Sequence, residues 1–120
     1  MNILLVDDEQ FYHDHYQELC LNLGFTFHGA KNGHEALLFF SSKTPIDLII
    51  LDYSMPLMNG LEFLEQRAKR PDLLRIPLFM STSYLPDDPV FQHAIAQNWI
   101  AKFIPKGCKE KAFLAAIAGC

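Results

Sequence analysis

Long apolar runs are missing from this sequence. Its longest uninterrupted apolar stretch, 112–118, is seven residues, and the longest runs of Leu, Ile and Val, 3–6 and 48–51, are four each, far short of the roughly 20 that a membrane-spanning helix needs. The chain opens Met1-Asn2-Ile3 and meets Asp7 within one strand length, so no secretory leader is expected. Cysteine is sparse. Cys20, Cys108 and Cys120 stand far apart, and no C-x-x-C pair exists. That leaves no thiol metal or redox motif and points to reduced thiols in the cytoplasm. Positive charge is also short: 10 basic against 14 acidic residues give a net charge of −4. A phosphate-neutralising stripe is therefore not expected, and neither nucleic acid nor membrane is an expected direct partner. Low-complexity segments and linkers are lacking too, so residues 1–120 are expected to form one domain.

The acids that are present are unevenly placed. Residues 1–60 hold 8 acids and 2 bases, whereas residues 61–120 hold 6 acids and 8 bases. Short apolar runs recur at wide intervals: Ile3-Leu4-Leu5-Val6, Phe25-Thr26-Phe27, Leu48-Ile49-Ile50-Leu51, Leu78-Phe79-Met80 and Phe103-Ile104. Two of them are solidly aliphatic, as strands covered on both faces are. Segments of helical period lie between. Tyr12, Tyr16, Leu19, Cys20 and Leu23 form one stripe, with Gly24 as its C-cap. Asn32 and Glu35 resemble a capping box before Ala36, Leu37 and Phe40. Leu61, Leu64 and Ala68 form a third stripe, closed by Pro71. Asp88-Pro89 opens a fourth, containing Phe91, Ala94 and Ile95; Phe113, Ala116 and Ile117 form the last. Strand then helix, five times over, predicts an α/β domain: one doubly wound parallel sheet with helices on both faces.

In such sheets ligands bind at the carboxyl ends of the strands. Asp7, Asp8 and Glu9 leave the first strand, Asp52 the third, Ser81, Thr82 and Ser83 the fourth, and Lys106 the fifth. Carboxylates brought this close repel. Two charges about 4 Å apart interact by roughly 4 kcal/mol at an effective dielectric of 20. A proton or a cation relieves that repulsion. An all-oxygen site suits Mg²⁺, and the lack of a His or Cys cluster at the rim argues against zinc. A carboxylate beside Mg²⁺, a hydroxyl and an ammonium is equipped for phosphoryl transfer. Asp52 is the expected nucleophile, Asp7 and Asp8 the metal end, and Thr82 and Lys106 the holders of the equatorial oxygens.

The stretches Ile3 to Glu9, Asp52-Tyr53-Ser54-Met55-Pro56-Leu57-Met58-Asn59-Gly60, Pro77 to Ser83 and Phe103-Ile104-Pro105-Lys106 resemble the receiver domain of two-component response regulators. The resemblance covers essentially the whole chain. It rests on the aspartate pair, D-x-x-M-P-x-x-x-G, a Thr 30 residues after Asp52 and a Lys 54 after it, all in order. It implies a flavodoxin-like fold: five strands in the order 2-1-3-4-5 and five helices. It also implies that Asp52 takes a phosphoryl group from a sensor histidine kinase or a phosphotransfer protein. Asp8 and Asp52 would ligate Mg²⁺ directly, Asp7 through water, and the Ser54 carbonyl would complete the protein ligands. Thr82 and Lys106 would hold the phosphoryl group. Phe103 stands where the family carries a switching aromatic, and the surface of the fourth helix, fifth strand and fifth helix would respond. Such a protein is a switch that modifies only itself, not an enzyme acting on other substrates.

Some positions depart from the family pattern. Gly107 follows Lys106 where Pro is usual; Trp99 stands where a small Gly usually ends the fourth helix, making Asn98 the expected left-handed cap. Ser83 replaces the usual Ala, and Phe103 lacks the hydroxyl of the commoner Tyr. Ser54 and Tyr84 occupy positions that influence acyl-phosphate lifetime. Competing readings are a receiver-fold docking module that is never phosphorylated, and a metal-dependent phosphatase. The phosphatase would want an acid/base carboxylate close after Asp52, where Tyr53 and Ser54 stand instead. His13 and His15 flank Asp14 but cannot share a helix face, so they read as solvent-side histidines rather than a metal pair. Trp99 is either core or partner surface, and Lys109 and Lys111 read as a solvated face.

Overall fold

The computed structural model describes residues 1–42, 44–52, 60–82 and 89–119. Five parallel strands form one sheet: β1 (Asn2–Val6), β2 (Thr26–Ala30), β3 (Leu48–Asp52), β4 (Leu78–Thr82) and β5 (Lys102–Pro105), in the order β2-β1-β3-β4-β5. The helices are α1 (Gln10–Leu23), α2 (Gly33–Phe40), α3 (Gly60–Ala68), α4 (Pro71–Leu74), α5 (Pro89–Ala96) and α6 (Glu110–Ala118). The sheet is the expected one. The addition is α4, a single turn with Pro71 at its start: the proline that closes α3 also opens the next turn, because its fixed φ suits a first helical position. The expected fourth and fifth helices are therefore α5 and α6.

Alternation along each strand sorts the two faces. Ile3, Leu5, Leu48, Ile50 and Phe79 pack with Tyr16, Leu19, Cys20 and Phe113 from α1 and α6. Leu4, Val6, Ile49, Leu51, Leu78 and Met80 pack with Ala36, Phe63, Leu64 and Ala94 from α2, α3 and α5. Every residue of β3 is buried, as a central parallel strand covered on both faces must be. Each such aliphatic side chain contributes about 1.5–3 kcal/mol of burial. The caps match the sequence reading. Gly24 is left-handed at φ +75°, Asn98 is left-handed at φ +60°, and Asn32 accepts the Glu35 N–H at 2.9 Å. The Glu35 carboxylate reaches back to the Lys31 N–H at 3.1 Å, one residue earlier than a regular capping box would have it.

The third helical stripe is offset from the expected one. The buried face of α3 is Phe63, Leu64 and Arg67, and Ala68 is only half-buried. Arg67 is 2% exposed. Its guanidinium donates to the carbonyls of Trp99 (2.9 Å), Leu74 (3.0 Å) and Ile76. An arginine is tolerated there because those carbonyls lie at or just past helix ends, where no helical N–H reaches them. Trp99 is half-buried, packs on the core beneath α5 and meets the His93 ring edge-on at 5.3 Å. Of its two readings, the structure supports core.

Candidate functional site at the carboxyl rim

The chain leaves β1 in one direction to make β2 and later returns on the other side to make β3. The crevice at that reversal is where such sheets bind ligands. Asp7 directly follows β1, and Asp52 ends β3. Continuing the alternation of Ile3 and Leu5, and of Leu48 and Ile50, both carboxylates turn toward the α1 and α6 layer. Asp7 is 1% exposed and Asp52 5%, while Asp8 is exposed. One carboxylate oxygen from each of Asp7, Asp8 and Asp52 lies within 4.8 Å of the others.

Lys106, from the turn after β5, lies between two of them. Its Nζ is 3.0 Å from Asp7 Oδ2 and 3.0 Å from Asp52 Oδ1. Burial pushes the Asp52 carboxyl up to about 6; the Lys106 hydrogen bond opposes that rise, and the charges of Asp7 and Asp8 add to it. Burial alone would lower the Lys106 ammonium, but hydrogen bonds and charge from Asp7 and Asp52 carry it above its ordinary value. The ammonium answers the repulsion with a cation. The oxygen donors of Asp7, Asp8 and Asp52 also fit a hard dication such as Mg²⁺.

The structure thus brings together Asp7, Asp8, Asp52 and Lys106. The backbone of Thr82 ends β4, one residue after Ser81, the register partner of Asp52. Phe103 is half-buried on β5 and packs against the α2, α3 and α5 side of the core. Ser54, Ser83 and Tyr84 lie outside the described residues, as do Asp88, Cys120 and the side chain of Thr82. Lys109 and Lys111 are exposed, as read.

The histidine reading needs correction. His13 is buried and bonds the Asp7 backbone carbonyl through Nε2 at 2.7 Å. His15 is half-buried and bonds the Cys108 carbonyl through Nε2 at 2.8 Å. Neither is solvent-side, although the two do point apart as helix geometry requires. His13 fits because Gly29 faces it across β2: a Cβ at position 29 would lie 2.6 Å from His13 Nδ1. Gly29 is the signal in the sequence, since a glycine inside a strand marks a close approach. Tyr12 was also missed in this role. It belongs to the α1 stripe, yet its ring lies under Lys106 Nζ, 4.2 Å from the centroid. Tyr16 and Ser81 are buried on the same side of the sheet, and burial raises the Tyr16 phenol well above its ordinary value.

The model of the response regulator receiver domain family matches residues 3–118. The chain is 36% identical over 85 residues to the "Regulator of RpoS" of Escherichia coli K12, a match that takes in 71% of this chain and 25% of that protein. It is 35% identical over 82 residues to the "Probable transcriptional regulator ycf29" of Porphyra purpurea, covering 68% of this chain and 39% of that one. The chain therefore spans well under half the length of these curated relatives. Among solved structures, a signal receiver domain of a signal transduction histidine kinase from Syntrophus aciditrophicus superposes with a TM-score of 0.82 at 30% identity, over 98% of this chain and 87% of that one. The sheet order agrees with these matches, and the chain belongs to the response regulator receiver domain family.

Proposed function

We propose that this chain is a phosphoacceptor switch, charged on Asp52 by a phosphohistidine of a sensor histidine kinase or phosphotransfer protein. The observation that carries the reading is the pairing of a buried, crowded Asp52 carboxylate with Lys106 at 3.0 Å, beside Asp7 and Asp8. An Asp52 oxygen attacks phosphorus; a P–O bond forms, the P–N bond breaks, and its electron pair stays on the departing imidazole. Asp7, Asp8 and Asp52 would hold Mg²⁺, with the Ser54 carbonyl, which lies outside the described residues, as a further ligand. Bound there, Mg²⁺ supplies neutralisation of the charge on the phosphoryl oxygens. Lys106 follows the new charge from the Asp52 carboxylate to the phosphoryl group, and the Thr82 hydroxyl takes one of its oxygens. Repacking of Phe103 would pass the change to the surface of α5, β5 and α6. The phosphoryl group carries about −1.5 to −2 in place of the carboxylate's single charge, and that change biases a small bistable element.

The test is incubation with Mg²⁺ and a small phosphoramidate or acyl phosphate, followed by intact mass. A gain of one phosphoryl group, lost in Asp52→Asn, is expected. No gain in the wild-type chain overturns the reading and favours a docking module. Steady release of phosphate from many monoesters would favour an enzyme instead.

A further inference from the structure

Lys106 stands on a turn with little of its own to fix it. Gly107 is in the left-handed region at φ +63°, a conformation that proline cannot adopt and other side chains rarely do. A glycine gives the turn its direction but leaves it conformationally free.

The restraint comes from another element. Tyr12, His15 and Tyr16 share one face of α1, at i, i+3 and i+4. Tyr12 places its ring 4.2 Å from Lys106 Nζ. The same ring closes over Gly107, where a Cβ would sit 3.4 Å from Tyr12 Cε1. His15 Nε2 donates to the Cys108 carbonyl at 2.8 Å. Phe11 packs edge-on against Tyr12 at 5.1 Å. Lys106, Gly107 and Cys108 are thus held by two residues of one helix, Tyr12 and His15.

We propose that Tyr12 is a positioning residue for Lys106: its ring, backed by the His15 clamp on Cys108, holds the ammonium at the Asp52 oxygen where the phosphoryl group arrives. The inference rests on the phosphoacceptor reading. A ring face under the ammonium attracts it through the π quadrupole while leaving its N–H groups free for carboxylate or phosphoryl oxygens. It also removes water from one side of the cation, which strengthens its pull on an anion.

The probe is beryllium trifluoride, a mimic of the phosphoryl group on a carboxylate, titrated with Mg²⁺ present and read by tryptophan fluorescence and calorimetry. Tyr12→Leu is expected to weaken beryllium trifluoride binding about tenfold and slow phosphorylation by a small donor by a similar factor. Mg²⁺ binding alone, which uses the aspartates, should stay within twofold. Tyr12→Phe, which keeps the ring, should restore both properties. In a Lys106→Met background the Tyr12→Leu change should have no further effect, since Tyr12 acts only through the ammonium. If the wild-type chain takes up neither beryllium trifluoride nor a phosphoryl group, the phosphoacceptor reading fails. If the wild type does and Tyr12→Leu matches it within twofold, or costs as much with Lys106→Met as without, the positioning role is overturned. A loss of Mg²⁺ binding equal to the loss of beryllium trifluoride binding would likewise overturn it, as damage to the whole site.

Discussion

Lys106 Nζ and Asp52 Oδ1 are 3.0 Å apart, in a site where Asp7 shares the same ammonium at the same distance. One cation therefore serves two buried carboxylates. The site holds more negative charge than it can balance, and its pH behaviour, metal affinity and reactivity follow from that imbalance.

Asp52→Asn should stabilise the metal-free protein, and only above mildly acidic pH. Asp52 titrates at about 6 in the fold against an ordinary value of about 3.9. Between those values the folded state binds more protons than the unfolded one, so stability falls as pH rises through that window. The cost is fully present above about pH 6 and absent below about pH 4. Chemical denaturation with a chelator present should find Asn more stable than Asp by on the order of 1–3 kcal/mol at pH 7.5. The difference should shrink toward zero at pH 4; one that is equal at both pH values would show the wrong cause.

Mg²⁺ should raise the melting temperature of the wild-type chain. Binding to the folded state alone adds RT ln(1 + [L]/Kd), about 1.4 kcal/mol at ten times Kd. Asp8 is exposed, so Asp8→Ala should leave the metal-free melting temperature nearly unchanged and remove most of the Mg²⁺ increment. A full increment in Asp8→Ala would take Asp8 out of the metal end.

Arg67 holds three backbone carbonyls on segments that only the fold brings together. Burial lowers its guanidinium to about 10, so it remains charged at neutral pH. Arg67→Met should cost about 3–5 kcal/mol in urea unfolding, through carbonyls left buried and unpaired. Arg67→Lys should recover part of that, because an ammonium lacks the planar fork. A cost below about 1 kcal/mol for Arg67→Met would mean that water replaces the guanidinium.

Gly29 and His13 should behave as a coupled pair. The 2.6 Å approach of a Cβ at position 29 to His13 Nδ1 predicts that Gly29→Ala destabilises by about 1–3 kcal/mol through overpacking. In a His13→Ala background the same change should cost far less, giving a coupling energy of at least about 1 kcal/mol in a double-mutant cycle. Additive effects would place the strain elsewhere.

Much of this protein was written in the order of its residues. The aliphatic runs and the stripes between them dictate alternating strands and helices, and right-handed crossovers leave one sheet. That alone sends Asp7, Asp52, Ser81 and Lys106 to a common rim, because a parallel sheet places all strand carboxyl ends on one edge. The fates of Tyr12, His13, His15 and Arg67 were not legible in the same way. Hydrophobic periodicity reports how a residue relates to its own element, and by that measure a histidine or an arginine belongs outside. Each is wholly or partly buried because a different segment delivers what it needs: the Asp7 and Cys108 carbonyls for the histidines, the Leu74, Ile76 and Trp99 carbonyls for Arg67, and the Lys106 ammonium for the Tyr12 ring. Those partners lie up to 94 residues away along the chain. The sequence by itself determined the sheet and which side chains stand at its rim. Only the tertiary structure decided which polar groups could afford burial, since a polar atom is stable inside only where a distant backbone or charge meets it.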